Sequence, residues 1–182
     1  MRSIFAILFV VLSSNFCAGQ NPGTKVSNDH LNPDEIAVYR AVIMDYLKDS
    51  KASLNVANVT VPLDTPESLN NGGCVPSFGL ELAHKRSRLI HRMVPEVALN
   101  LRIALVDPEK QTRKYMKLEG SERAWDNGLF WLSETAFDRN HRKAVVIRTF
   151  VCGGLCGGTQ TLVLEKVAGK WMVSARCGGK IF

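Results

Sequence analysis

The sequence predicts an α+β domain in which an N-terminal amphipathic helix packs on a C-terminal antiparallel β-meander. Residues 33–48 carry Ile36, Tyr39, Val42, Ile43, Tyr46 and Leu47 at helical spacing, which gives the helix a broad apolar face. The last third of the chain alternates β-branched and aromatic runs with polar turns, the pattern of consecutive antiparallel strands. Such a meander needs one face covered, and that helix is available to cover it.

The chain of 182 residues opens with Arg2 and an apolar run from Ile4 to Leu12. Ser13, Ser14 and Asn15 break the run, and the small residues Ala18 and Gly19 follow. Charge, apolar run and small residues, in that order, make a secretory signal, so residues 1–19 are expected to be a signal peptide cut after Gly19. The apolar run has about half of the ~20 residues that a membrane crossing takes. No other segment is apolar and long enough, so no transmembrane segment is expected after cleavage. Cys17 is a poor lipid acceptor, because bulky Phe16 and polar Asn15 precede it. The mature chain is therefore expected to be exported, periplasmic or secreted. Residues 20–32 are polar and rich in Asn, Gly and Ser, a flexible N-terminal segment, and residues 33–182 form a single α+β domain long enough to bury a core.

The net charge is +6, or +5 once Arg2 leaves with the signal. Lys85, Arg86, Arg88 and Arg92 are the densest basic group. A moderately basic exported surface favours an anionic envelope component, a polymer or a lipid headgroup. Nucleic acid is disfavoured, because no aromatic residues interleave with these cations to stack on bases.

Within the domain, Asn32 caps the first helix, Pro33 fits its first turn and Glu35 completes a capping box. Residues 53–61 alternate as a short strand, and Pro62 to Ser77 is loop by composition. Residues 79–93 have the periodicity of a basic, half-buried helix. After Pro95 a short helix is expected to run into extended chain, ended by Asp107 and Pro108, and residues 95–127 are the part least defined by pattern. Leu129–Phe137 reads as a strand, Asp138–Arg142 as a turn and Ala144–Cys152 as a strand. Thr159–Val167 and Lys170–Arg176 then flank the hairpin turn Ala168-Gly169.

The mature chain holds four cysteines, Cys74, Cys152, Cys156 and Cys177, an even number suited to disulfides in an exported protein. Four cysteines allow three connectivities. Cys152 and Cys156 are near neighbours with Gly153 and Gly154 between them, so a local bridge is expected there, which leaves Cys74 to Cys177. That second bridge closes a loop of about a hundred residues, worth up to ~4 kcal/mol in the chain-entropy model.

The stretches Ala136-Phe137-Asp138, Lys143-Ala144-Val145-Val146, Cys152-Gly153-Gly154-Leu155-Cys156-Gly157-Gly158 and Val163-Leu164-Glu165-Lys166 with Gly169-Lys170-Trp171 share a pattern with known proteins. With the helix segment Val38-Tyr39-Arg40-Ala41-Val42, they resemble a group of bacterial exported proteins of no established activity. The Gly-Lys-Trp hairpin is also similar to that of cone-shaped NTF2-like and cystatin-like folds. The resemblance implies export and a cone-shaped fold, and it brings no functional residues with it.

Few residues carry recognisable chemistry. The Cys152–Gly158 loop admits a redox pair, half of a metal site or a glycine anion nest, against a disulfide that pins a strand connection. The last is expected, because the cysteine spacing is one longer than the usual redox pair and no histidine is near in sequence. His84 and His91 would share one face of a helix over 79–93. Ser133, Glu134, Asp138 and His141 are close in sequence, yet form no nucleophile elbow. Glu165 and Lys166 face opposite sides of one strand. Trp125, Trp131 and Trp171 are candidates for a pocket lining or for core. Asn58-Val59-Thr60 is a formal glycosylation sequon. No catalytic residues, metal ligands or cofactor are expected. The function expected is that of a non-catalytic exported domain that binds a ligand or partner in the cell envelope. The alternative is a thiol-based or hydrolytic enzyme using the Cys152/Cys156 loop.

Overall fold

The structure, a computed structural model, describes residues 25–27, 30–63, 73–84, 89–116, 128–153 and 156–181. The expected signal peptide 1–19 lies outside the described residues, as do Lys85, Arg86, Arg88 and Trp125. In chain order the elements are β1 (Lys25–Ser27), α1 (Pro33–Leu47), β2 (Leu54–Ala57), α2 (Ser77–His84), β3 (Leu89–His91), a 3-10 turn (Pro95–Val97), β4 (Ile103–Val106) and α3 (Pro108–Met116). They continue with β5 (Leu129–Leu132), β6 (Ala136–Phe137), β7 (Lys143–Gly153), β8 (Cys156–Val167) and β9 (Lys170–Ile181). No helix among the described residues is long and apolar enough to cross a membrane.

The α+β expectation of an amphipathic helix lying on a C-terminal antiparallel meander does not hold. Among the described residues the chain is mostly β, with short helices and one mixed sheet of seven strands in the order β4-β2-β5-β7-β8-β9, β6 pairing with β7 beside β5. The middle of the chain supplies its parallel half: β2 pairs parallel with β4 from Leu54↔Ile103 to Ala57↔Val106, and with β5 at Val56↔Phe130. The strands over 53–61 and from Leu129 are read from the sequence, but a strand's own pattern does not say which neighbour it pairs with or in which direction, so the parallel half is not.

Nor is α1 a simple amphipathic lid. Its buried residues Val38, Tyr39, Ala41, Val42, Ile43 and Leu47 reach more than halfway round the helix. It is wedged between the sheet and the 3-10 turn with the residues just after it, where Arg40 Nη1 donates to the carbonyls of Glu96 and Leu99, 2.8 Å each. Its start does follow from the sequence. Glu35 N–H donates to Asn32 Oδ1 at 2.9 Å, and Asn32 N–H donates to Glu35 Oε2 at 2.8 Å.

The basic helix expected over 79–93 stops at His84, and Leu89–His91 is a strand parallel to β1. Tertiary pairing overrides helical periodicity here. Thr60 N–H donates to His91 O and Met93 N–H to Asn58 O, both at 2.9 Å. The strand expected over Leu129–Phe137 is two strands, with Ser133, Glu134 and Thr135 as a buried polar break between them. There the Ser133 hydroxyl accepts from Ile147 N–H and donates to Glu134 O, 2.8 Å each. The helix α3 after Asp107 had no counterpart in the periodicity. Asp107 Oδ1 accepts from Glu109 N–H at 2.9 Å to begin it.

The sheet is covered on both faces. On one, α1 packs with Val56, Phe130, Leu132, Val146, Leu162, Leu164 and Trp171. On the other, Leu63, Val75, Ala136, Val145, Ile147, Val163 and Cys177 form a second cluster with Phe78 of α2 packed against it. Gly79 brings α2 onto this face, since a Cβ there would sit 2.9 Å from Val145 Cγ2. At the β8–β9 turn Ala168 and Gly169 both have positive φ, +48° and +79°, which matches the twist of a tight hairpin.

Asp34, in the first turn of α1, ties the two ends of the domain together. Its Oδ1 accepts from Lys166 Nζ at 2.6 Å and from the Trp171 indole N–H at 3.1 Å. His141, stacked on Phe137 with centroids 4.8 Å apart, faces Oδ2 at 3.6 Å. The Lys166 hydrogen bond above all holds the Asp34 carboxyl below the usual carboxylate range. Partial burial opposes it, while the indole, the Lys166 charge and His141 add to it. A depressed carboxyl stabilises the fold above its unfolded value, near pH ~4, and that stability is lost as pH falls through the native value. Asp34→Asn should lower stability at neutral pH by about 1–2 kcal/mol and lose less than the parent on acidification below pH ~4. Urea unfolding at neutral and acid pH measures both, and an identical acid loss in the two proteins would contradict this role.

Candidate functional site

The strands of the long hairpin outrun the helix above them. β7, β8 and β9 have 11, 12 and 12 residues, or about 36–41 Å of strand. α1 has 15 residues, or about 22 Å of helix. Strand alternation puts Val146, Arg148, Phe150 and Cys152 on the face that α1 covers. Val146 lies in the core with α1, and Arg148 and Phe150 meet Tyr46 in its last turn. Past the end of α1 the sheet face is open, a groove of about 560 Å³. Its walls are Tyr46, Arg148, Phe150 and the Cys152 and Cys156 pair, with Lys180 opposite. The floor is bare backbone because β8 and β9 approach closely there. A Cβ on Gly158 would lie 2.8 Å from Lys180 O, and one on Gly179 would lie 2.7 Å from Thr159 O.

Arg148 is the electrostatic centre of this groove. Its guanidinium lies over the Tyr46 ring, 4.8 Å from the centroid, and Nη2 donates to Gln160 Oε1 at 2.7 Å. Nε is buried without a hydrogen-bond partner. Asp45, the nearby carboxylate, is engaged by Arg176 Nη2 at 2.6 and 2.7 Å and by Lys48 at 3.4 Å. Among the described residues no carboxylate forms an ion pair with Arg148. Desolvation lowers the Arg148 pKa from the ordinary arginine value, Tyr46 and Asp45 partly offset this, and Arg176 adds to it. Burial raises the Tyr46 pKa, against the pull of Arg148. A half-buried cation held by an amide and a ring is placed to receive an anion.

Two cysteine pairs stand at disulfide distance. Cys152 and Cys156, Cα atoms 5.1 Å apart, bridge the β7–β8 turn on the groove wall. Cys74 and Cys177, 5.6 Å apart, tie β9 to the segment before α2 on the opposite face. Among the described residues no group of three or more His, Cys, Asp or Glu is placed to hold a metal ion.

The other candidate residues scatter. His84 ends α2 and His91 lies in β3, so they share no helix face. His30 and Arg92 are exposed. Ser133 serves the backbone of the β5–β6 break, Asp138 Oδ1 accepts from Arg142 and Lys143 N–H at 2.7 and 2.8 Å to close the turn, and His141 faces Asp34. Trp171 is buried core with its indole N–H on Asp34, and Trp131 is half-buried in β5. Glu165 pairs with Lys143 at 3.2 Å, on the side away from Lys166 and Asp34.

One cluster escaped sequence reasoning. Glu134 Oε1 accepts from Thr60 Oγ1 at 2.6 Å and meets His91 Nδ1 at 2.9 Å, while Thr60 Oγ1 accepts from His91 N–H at 2.8 Å. Nearby, Tyr39 and Thr135 carry buried hydroxyls that approach each other outside hydrogen-bond geometry. Burial drives the Tyr39 pKa far above its ordinary value. The cluster joins β3, the Thr60 segment and the β5–β6 break. Its only sequence signal is the interruption of an apolar run by Ser133-Glu134-Thr135. The chain matches no protein-family model, no curated protein and no solved structure.

Glu134→Ala should cost about 2–4 kcal/mol, because it strands the buried Thr60 and His91 donors together. Glu134→Gln should cost less, since an acceptor remains. Urea unfolding of both variants checks the order, and an Ala variant as stable as the parent would refute it.

Proposed function

We propose that the chain is an exported, non-catalytic binding domain whose groove takes an anionic ligand with a flat apolar body, a component of the cell envelope. The single observation behind this is Arg148, a half-buried cation that borders an open groove without a carboxylate of its own. The Tyr46 and Phe150 rings and the bare glycine floor suit a ring or a flat hydrocarbon. Lys180 supplies a second positive charge at the rim. Export is supported by the signal-like start of the sequence, and two cysteine pairs at disulfide distance suit an oxidising compartment.

Anilinonaphthalene sulfonate, an aromatic anion, should bind the full chain with a fluorescence gain that weakens with added salt. The uncharged phenylnaphthylamine should bind more weakly. Arg148→Met should lower sulfonate affinity about tenfold and leave the uncharged probe unaffected. Equal affinity for the two probes, or a variant that binds the sulfonate as the parent does, would defeat the proposal.

A further inference from the structure

The groove wall contains a bridge that the fold does not need. β7 and β8 are already zipped by a ladder running from Lys143↔Glu165 to Val151↔Gly157, and the Cys152–Cys156 bridge repeats that closure across a separation of 4. Cys74–Cys177 spans a separation of 103, and a loop of that length is where chain-entropy stabilisation is large.

The two bridges also differ in what their cleavage would expel. Cys74 is exposed, but its partner Cys177 is only 2% exposed and sits in the second core cluster. Attack at Cys74 would have to push a thiolate into apolar surroundings, where it is a poor leaving group. Cys156 is exposed and Cys152 half-buried, and both border a groove that also holds Arg148 and Lys180. Attack at Cys156 expels the Cys152 thiolate into a positively charged setting, which stabilises it.

We propose that the Cys152–Cys156 bridge is a redox-set wall of the groove: closed, it shapes the anion site, and opened by a dithiol it weakens it. This rests on the groove being a ligand site. In the opening step a dithiol thiolate attacks Cys156 Sγ, the Sγ–Sγ bond breaks and Cys152 leaves as the thiolate. The second thiol of the dithiol then displaces Cys156 from the mixed disulfide. Two electrons and two protons pass to the protein, and the dithiol becomes a disulfide. Beyond the register shift between Val151 and Gly153, the pairing Gly153↔Cys156 alone then holds that end of the ladder.

The test is a dithiothreitol titration of the full chain, with alkylation and peptide mass mapping at each step and anilinonaphthalene sulfonate binding read in parallel. Cys152–Cys156 should open at lower dithiothreitol than Cys74–Cys177, and sulfonate affinity should fall about tenfold at that first step with the far-ultraviolet circular dichroism unchanged. The double variant Cys152→Ser with Cys156→Ser should be folded and bind as the half-reduced protein does. A first step with unchanged affinity, a folded double variant of parental affinity, or a double variant that does not fold would each overturn the gate. Failure of the oxidised parent to bind the sulfonate would remove the ligand site and the gate together, and so differs from failure of the gate alone.

Discussion

A sheet face must be covered wherever it is apolar, and the length of α1 decides how much of this one can be. The helix spans about half the length of the β7–β9 strands beneath it. Under the helix, Val146, Leu162 and Leu164 are fully buried. Beyond it the strands carry Arg148, Gln160 and glycines, with Phe150 half-buried against Tyr46 and Ile181 exposed at the rim. Core and groove are thus two halves of one surface, divided where the helix stops. Tyr46 stands on that boundary, tilted against Phe130 and Phe150 on one side and under the Arg148 guanidinium on the other.

The position of the helix along the strands is set by contacts made late in the chain. Asp34 near its start meets Lys166 and Trp171 from the β8–β9 hairpin, and Asp45 near its end meets Arg176 of β9. Two carboxylates on one helix thereby register it against the last hairpin. The Glu134 cluster adds side-chain ties among three segments that backbone hydrogen bonds already connect.

What the sequence disclosed was local. The capping box at Asn32, the turn at Ala168-Gly169 and the last long strands rest on signals within a few residues of one another. What it concealed was non-local. The parallel pairing of β2 with β4 and β5 leaves no mark within any one strand, and β3 is a strand because Asn58 and Thr60 wait opposite it. Arg148 is one cation in a β-branched run, with nothing in the sequence to single it out. Only the end of α1 above it, and the capture of Asp45 by Arg176, make it a cation without a carboxylate. Glu134 was visible as an acid in an apolar stretch, yet its partners lie 43 and 74 residues away.

The Cys74–Cys177 bridge has a further consequence for the molecule as an object. It encloses α2, β3 to β8 and most of β9 in one covalent loop. A single peptide-bond cut anywhere inside that loop leaves both pieces joined through sulfur, and the cut chain keeps the mass of one molecule plus a water. Such a chain can be nicked inside the loop and still not be divided.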